Sequence, residues 1–149
     1  MQLTAIFSTL LLAGSAFAVK ATYDQTYDNA SGSMNGVACS NGANGLASRF
    51  PTFGDLPTFP NVGGAHAVTG WNSTKCGSCW KLTYQGTSIT LTAIDTAGVG
   101  FNIALEALDT LTDGHGQEWG SADVTAVEDA TRSFSPSSSH WYNGLWDSA

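Results

Sequence analysis

"CWKLTYQGTSITLTAI", residues 79 to 94, reads as two strands joined by a two-residue turn. Trp80, Leu82 and Tyr84 alternate with polar residues before Gln85-Gly86, and Ile89, Leu91 and Ala93 alternate after it. That is the period of a hairpin with one face in a core. Outward from the hairpin, the other regular runs are also short and β-like: "ATYDQTY" (21–27), "HAVTGW" (66–71) and "ADVTAVE" (122–128). "SNGANGLASRF" (40–50) is broken by Gly and holds at most a helical turn. "FPTFGDLPTFPNVGG" (50–64) carries three prolines and reads as an ordered loop pinned by Phe53, Leu56 and Phe59. One segment reads as helix. Asn102 is a good N-cap type, Ala104, Ala107, Leu108 and Leu111 share a face, and Gly114 is a stop signal. Strands dominate and the helix is an insert, so the expected fold class is mainly β with short helices, a small barrel or an α+β domain.

The ends differ from the middle. "IFSTLLLAG" is apolar but too short to span a bilayer, and "SAFA" (15–18) has the small-x-small form of a signal-peptidase site. Residues 1–18 are therefore expected to be a secretory signal, 19–131 a single domain, and the Ser-rich, then aromatic stretch 132–149 a disordered tail. A net charge of −7 argues against nucleic acid and anionic membrane as partners, since neither gains from counterion release. With only 11% charged residues, the surface relies on hydroxyls and amides, a composition open to neutral polysaccharides.

The bend "IDTAGVGFN" (94–102) holds the residue with most chemical promise, Asp95. It lacks the Lys of a phosphate loop and the dinucleotide fingerprint. Asp95 reads as one carboxylate of a glycosidase pair (partners Asp28, Glu106 or Asp123), as a ligand for a sugar, or as a turn acid bonded to nearby N–H groups. No Gly-x-Ser-x-Gly elbow or calcium-loop spacing is present. The pair in "CGSC" (Cys76 and Cys79) suggests zinc or redox chemistry, but His66, His115 and His140 are scattered and the pair leads into a strand, so structural disulfide use is the better reading and no metal is expected. Three cysteines, Cys39, Cys76 and Cys79, allow one disulfide and leave one thiol. Asn29-Ala30-Ser31 and Asn72-Ser73-Thr74 are glycosylation sequons at Asn29 and Asn72. Trp71, Trp80 and Tyr84 are candidates to stack on pyranose faces, or core residues.

Taken together, "YDNASGSMNGVACSNGANGLASRF", "FPNVGG", "TGWNSTKCGSCWKLTY" and "AIDTAGVGFNIALEALDTLT" closely resemble the cerato-platanin family of small secreted fungal proteins, over about 21–127. The resemblance implies a six-stranded double-psi β-barrel, related to barwin and to the first domain of expansins, with no cofactor. It implies a secreted, extracellular protein of the fungal cell wall that binds chitin oligomers or another β-linked polysaccharide in a shallow groove. Loosening without hydrolysis, self-association at interfaces and elicitation of plant defence are further implied properties. Aligned with the related expansin segment, Asp95 matches its first Asp, and Asn102 stands where related endoglucanases place the general acid. An amide has no titratable proton to give a leaving oxygen, so no catalytic residue is expected and the chain is not expected to be an enzyme. The expected sugar-binding set is Asp95, Asn102, Tyr84, Asp28 and Trp71, with Asn102 open to both helix capping and sugar contact. The family's first bridge corresponds to Cys39–Cys76. The partner of Cys79 would fall near Arg132, where there is no cysteine, which leaves Cys79 as an unpaired thiol open to dimerisation. A rival reading makes the protein surface-active, through exposed Phe53, Leu56 and Phe59.

Overall fold

The computed structural model describes residues 15–136. Among them six strands close into one barrel, in the order β1-β5-β2-β4-β3-β6: β1 (Phe17–Tyr23), β2 (Val62–Ala65), β3 (Ser78–Tyr84), β4 (Thr87–Thr96), β5 (Phe101–Ile103) and β6 (Ser121–Ser133). The expected hairpin is β3–β4, paired antiparallel from Cys79–Thr92 to Tyr84–Thr87. Gln85 and Gly86 take φ values of 45° and 84°, two successive left-handed positions that match the twist of a two-residue hairpin. Trp80, Leu82, Ile89, Leu91 and Ala93 are all buried, so the alternation in sequence is the barrel's inward face. Two parallel pairs, β1–β5 and β2–β4, interrupt an otherwise antiparallel barrel, as expected of a double-psi barrel.

Thr92 and Ile94 point outward from β4 yet are also fully buried. The chain between Cys39 and Asn61 covers them. Cys39 N–H donates to the Ile94 carbonyl (3.0 Å), Thr92 N–H donates to the Asn61 carbonyl (3.0 Å), and the Thr58 and Thr92 hydroxyls share a 2.7 Å hydrogen bond. This outer layer buries Met34, Leu46, Phe50, Phe53 and Leu56 and is fastened by the Cys39–Cys76 disulfide. Phe53 and Leu56 are each 2% exposed and Phe59 packs against the core, so these loop aromatics and Leu56 act as anchors and do not form the exposed patch that the surface-active reading needs. Among the described residues the exposed large apolar ones, Phe17, Trp71, Val99 and Trp119, are scattered along the chain.

Several boundaries move. β1 lies four residues earlier than the strand expected over 21–27, because Asp24 accepts a hydrogen bond from Thr26 N–H (2.9 Å) and starts a 3₁₀ turn at Gln25–Asp28. It begins two residues before the cleavage expected after Ala18; without Phe17 and Ala18 the rungs from Val19–Val124 to Thr22–Ser121 remain. The strand expected over 66–71 lies instead at Val62–Ala65, and the chain turns at Val68, whose N–H bonds the Ala65 carbonyl. The expected disorder from 132 does not hold through 136. β6 runs to Ser133, Phe134 packs edge-on against Phe50 (5.7 Å) while its N–H donates to the Gly77 carbonyl, and Ser135 is buried. The rest of the tail lies outside the described residues.

Cys79 is unpaired, as expected, but buried, with Sγ 3.9 Å from the Thr92 hydroxyl. The dimerisation expected of it is therefore closed to the folded protein. Burial pushes its thiol up to about 11 from an ordinary 9.0. Between those values the unfolded chain has lost a proton that the folded chain keeps, so this thiol's contribution is complete below pH 9 and disappears as pH rises through 11. It amounts to about 2–3 kcal/mol. Melting temperatures from pH 8 to 11 should fall more steeply for the wild type than for Cys79→Ala. Parallel decline would contradict the buried thiol.

Helix α1 (Leu105–Thr112) buries Ala107, Leu108 and Leu111 of the face read from sequence, with Leu105 beside them and Ala104 buried at the cap position, and ends with Asp113 at φ 54° and Gly114 N–H on the Asp109 carbonyl. A short helix α2 (Gly116–Trp119) follows.

Candidate functional site

The bend that follows β4 brings Asp95 and Asn102 close in space as well as in sequence. Across four adjacent strands, Thr22 pairs with Asn102, Asn102 with Gly64, and Gly64 with Asp95, the last past a register shift between Gly63 and Gly64 that leaves Ile94 without a β2 partner and turns Asp95 to the opposite face from Ala93. Residues paired across neighbouring strands share a face. Ala21, Phe101 and Ile103, which alternate with this row, are fully buried, whereas Thr22, Asn102 and Asp95 are half-buried. The row therefore faces outward, and at its centre there is no side chain.

Backbone geometry requires that gap. A Cβ on Gly64 would lie 2.2 Å from the Thr96 carbonyl oxygen, and one on Gly63 2.5 Å from the Asn102 carbonyl oxygen. Glycines here let β2 press between β4 and β5; Gly64 is itself buried, with the Thr96 carbonyl covering the face where a side chain would stand.

Asp95 is held by three donors. Its Oδ1 accepts from Ala38 N–H (3.1 Å) and Thr96 N–H (2.8 Å), and its Oδ2 from the Tyr27 hydroxyl (2.9 Å). Burial, reinforced by the negative charge of Asp95, drives the Tyr27 phenol well above its ordinary range, so it remains a protonated donor. Asp95 thus joins the end of β4, the 3₁₀ turn and the segment before Cys39. This is the turn-acid reading extended to distant partners, and it uses about three of roughly four acceptor positions on a carboxylate. Asn102 Oδ1 accepts from the Thr22 hydroxyl (2.9 Å), while its Nδ2 protons have no partner among the described residues. Thr22, Tyr27 and Gly64 were missed in the sequence because nothing local marks them as neighbours of the bend.

The other candidates separate. Asn102 does not cap α1; it sits inside β5, and Ala104 occupies the cap position. Asp28 supplies the cap from 77 residues away, its Oδ2 accepting from Leu105 N–H (3.0 Å) and Oδ1 from Glu106 N–H (2.9 Å). Both carboxylate oxygens are thereby committed to the helix end, so Asp28 is placed as a structural residue and not as part of the polar row. Asp28→Ala should cost about 1–2 kcal/mol in urea denaturation; an unchanged midpoint would contradict the cap.

Tyr84 stands at the hairpin turn, eight residues along β4 from Asp95, or about 26 Å at strand rise. It does not join the row. Trp71 is 63% exposed and its indole N–H donates to Asn41 Oδ1 (2.8 Å), which connects it through residues 38–41 to the Asp95 clamp. Of the sequon residues, Asn29 is exposed, whereas Asn72 is half-buried with Oδ1 accepting from Asn44 N–H (2.9 Å). Among the described residues no cluster of three His, Cys, Asp or Glu side chains is placed to hold a metal ion.

A sequence model of the Cerato-platanin family matches residues 19–136. The chain belongs to the cerato-platanin family. Allergen Asp f 15 of Aspergillus fumigatus is 51% identical over 113 residues, 76% of this chain and 74% of that protein. The cerato-platanin of Ceratocystis fimbriata f. sp. platani is 48% identical over 98 residues, 65% and 72% of the two chains. In structure, cerato-platanin 2 from M. perniciosa superposes with a TM-score of 0.74 at 53% identity, covering 76% of this chain and 95% of that one. The solution structure of the fungal elicitor Cerato-Platanin gives 0.69 at 42% identity, covering 74% and 92%. The cerato-platanin match ends at 136, beyond the boundary expected at 131 and just after the Phe134 and Ser135 contacts. No helix among the described residues is long and apolar enough to cross a membrane.

Proposed function

We propose that this cerato-platanin is a secreted, non-hydrolytic binder of wall polysaccharide, taking chitin oligomers across the row Thr22–Asn102–Gly64–Asp95. The observation that carries the reading is the half-buried Asn102 amide, whose two N–H donors are unpaired among the described residues, standing in one row with the Asp95 carboxylate. Such an amide can donate to the acetamido carbonyl or a hydroxyl of a β-linked N-acetylglucosamine chain, and Asp95 keeps an acceptor position for a sugar hydroxyl. Trp71, exposed beside the same segment, offers a stacking face. The acidic chain makes a neutral glycan the compatible polymer. Loosening follows if the row competes for hydrogen bonds between packed chains, with no covalent step. Placement in the fungal wall and elicitation in a plant host are the consequences we expect of that binding, by likeness to the fungal elicitor named above.

The non-hydrolytic reading rests on Asn102, which has no proton to titrate, and on the engagement of Asp95 with three donors. A positioned proton donor is worth about 10²–10⁴ in rate. Incubation with chitin and β-glucan tests this part. The protein should co-sediment with the polymer while reducing ends stay at background. Accumulation of reducing ends, abolished by Asp95→Asn, would instead make it a weak endoglucanase.

A further inference from the structure

The far end of the hairpin carries a second arrangement that the polar row does not use. Tyr84, Gln85 and Thr87 from the hairpin, Thr110 and Asp113 from the end of α1, and His115 and Trp119 around α2 enclose an open concavity of about 420 Å³. Its most distinctive feature is aromatic. The His115 ring lies flat on the Trp119 indole, with centroids 4.6 Å apart and planes 9° apart, and Tyr84 meets Trp119 at 6.3 Å and 61°. Trp119 is 47% exposed and the His115 side chain equally so. A soluble protein leaves a stacked aromatic pair this open at some cost, since its apolar faces remain in water.

We infer that this concavity is a second glycan-binding site, in which a pyranose ring of a β-linked neutral oligosaccharide lies against the His115–Trp119 platform. A pyranose has an apolar C–H face and a rim of hydroxyls, and the lining supplies both complements. Aromatic faces meet the C–H surface. Around them the Thr87 hydroxyl and the Gln85 amide donate and accept, while the Thr110 hydroxyl, which already donates to the Glu106 carbonyl (2.9 Å), and the Asp113 carboxylate accept. The lining holds a carboxylate and no Lys or Arg, so it disfavours phosphorylated or sulfated ligands. It also holds too few aliphatic groups for a lipid. Neither the proton on His115 nor its 3.1 Å contact with Glu118 is needed for stacking.

The position matters for function. This site and the Asp95–Asn102 row lie at opposite ends of β4, separated by about 26 Å at strand rise. One short oligomer does not reach both, so each molecule engages two glycan chains or two separated stretches of one. Two weak sites on one rigid barrel raise the apparent affinity for a polymer far above that for an oligomer. The bridging consequence rests on the function proposed above; the second site itself does not.

An amide NMR titration of the ¹⁵N-labelled protein with the chitin tetramer separates the two. We expect two sets of shifting resonances. One comprises the Trp119 indole N–H with the Thr87, Thr110 and Asp113 amides; the other comprises the Thr22, Gly64, Asp95 and Asn102 amides. Trp119→Ala should weaken binding at the first set by at least about tenfold and leave the second unchanged, while Trp119→Phe, which keeps an aromatic face, should lose less. Movement of the Asn102 set alone overturns the second site and leaves the proposed function standing. Movement of the Trp119 set alone upholds the second site and removes the row as the glycan groove. Silence in both sets removes both.

Discussion

Replacing Cys39 and Cys76 together by Ala should destabilise the protein by about 4 kcal/mol, the loop-closure entropy expected for a bridge across 37 residues. That is a large share of the roughly 5–15 kcal/mol by which domains of this size are stable. The effect should extend to the site. Cys39 N–H bonds the Ile94 carbonyl and Ala38 N–H bonds Asp95, so a released segment at 38–39 withdraws one of the three donors that hold the carboxylate. The outer layer over Thr92 and Ile94 would also lose its fastening. The double replacement avoids leaving a reactive thiol. Urea denaturation should show the midpoint fall with the slope little changed, and a loss under about 1 kcal/mol would contradict this role for the bridge.

Gly64→Ala should be comparably damaging, above about 3 kcal/mol. The added carbon would lie 2.2 Å from the Thr96 carbonyl oxygen and 2.9 Å from its carbon. Both are backbone atoms of the neighbouring strand, so no rotamer change relieves the clash, and β2 would have to withdraw from β4. Gly98→Ala is the matched control. It lies in the bend after β4 with nothing within 4 Å of the added carbon, and should change stability by no more than about 0.5 kcal/mol. Equal stability of the two variants would contradict the close approach of the strands.

What was legible in the sequence was local. The β3–β4 hairpin shows in the alternation from Trp80 to Ala93 because one face of each strand is in the core, and the α1 face shows in Ala107, Leu108 and Leu111 for the same reason. Recognition of the family came from motifs spread along nearly the whole barrel. The errors were non-local. Asn102 looked like an N-cap because the residue type and spacing fit, but tertiary pairing with Gly64 and Thr22 drew it into a strand, and Asp28 closed the helix end from 77 residues away. Asp95 is bound to Tyr27 and Ala38, 68 and 57 residues distant, which no window could link to the bend. Tyr84 was grouped with the bend by side-chain type, and only the length of β4 separates them. The run from Phe53 to Phe59 reads as an ordered loop pinned by its apolar residues, and Phe53 and Leu56 are buried anchors as that reading requires; only the rival surface-active reading, which needs them exposed, fails.

The polar row of Thr22, Asn102 and Asp95 is the proposed seat of the sugar, and its role decides the function. It is tested most directly by calorimetric titration with the chitin tetramer in a Trp119→Ala background, where only the row is read, comparing that protein with its Asn102→Ala derivative. The account predicts saturable binding in the first and at least tenfold weaker binding in the second, about 1.4 kcal/mol, with melting temperatures close to each other. Equal affinity of the two folded proteins would contradict it and leave Asp95 as a structural clamp alone.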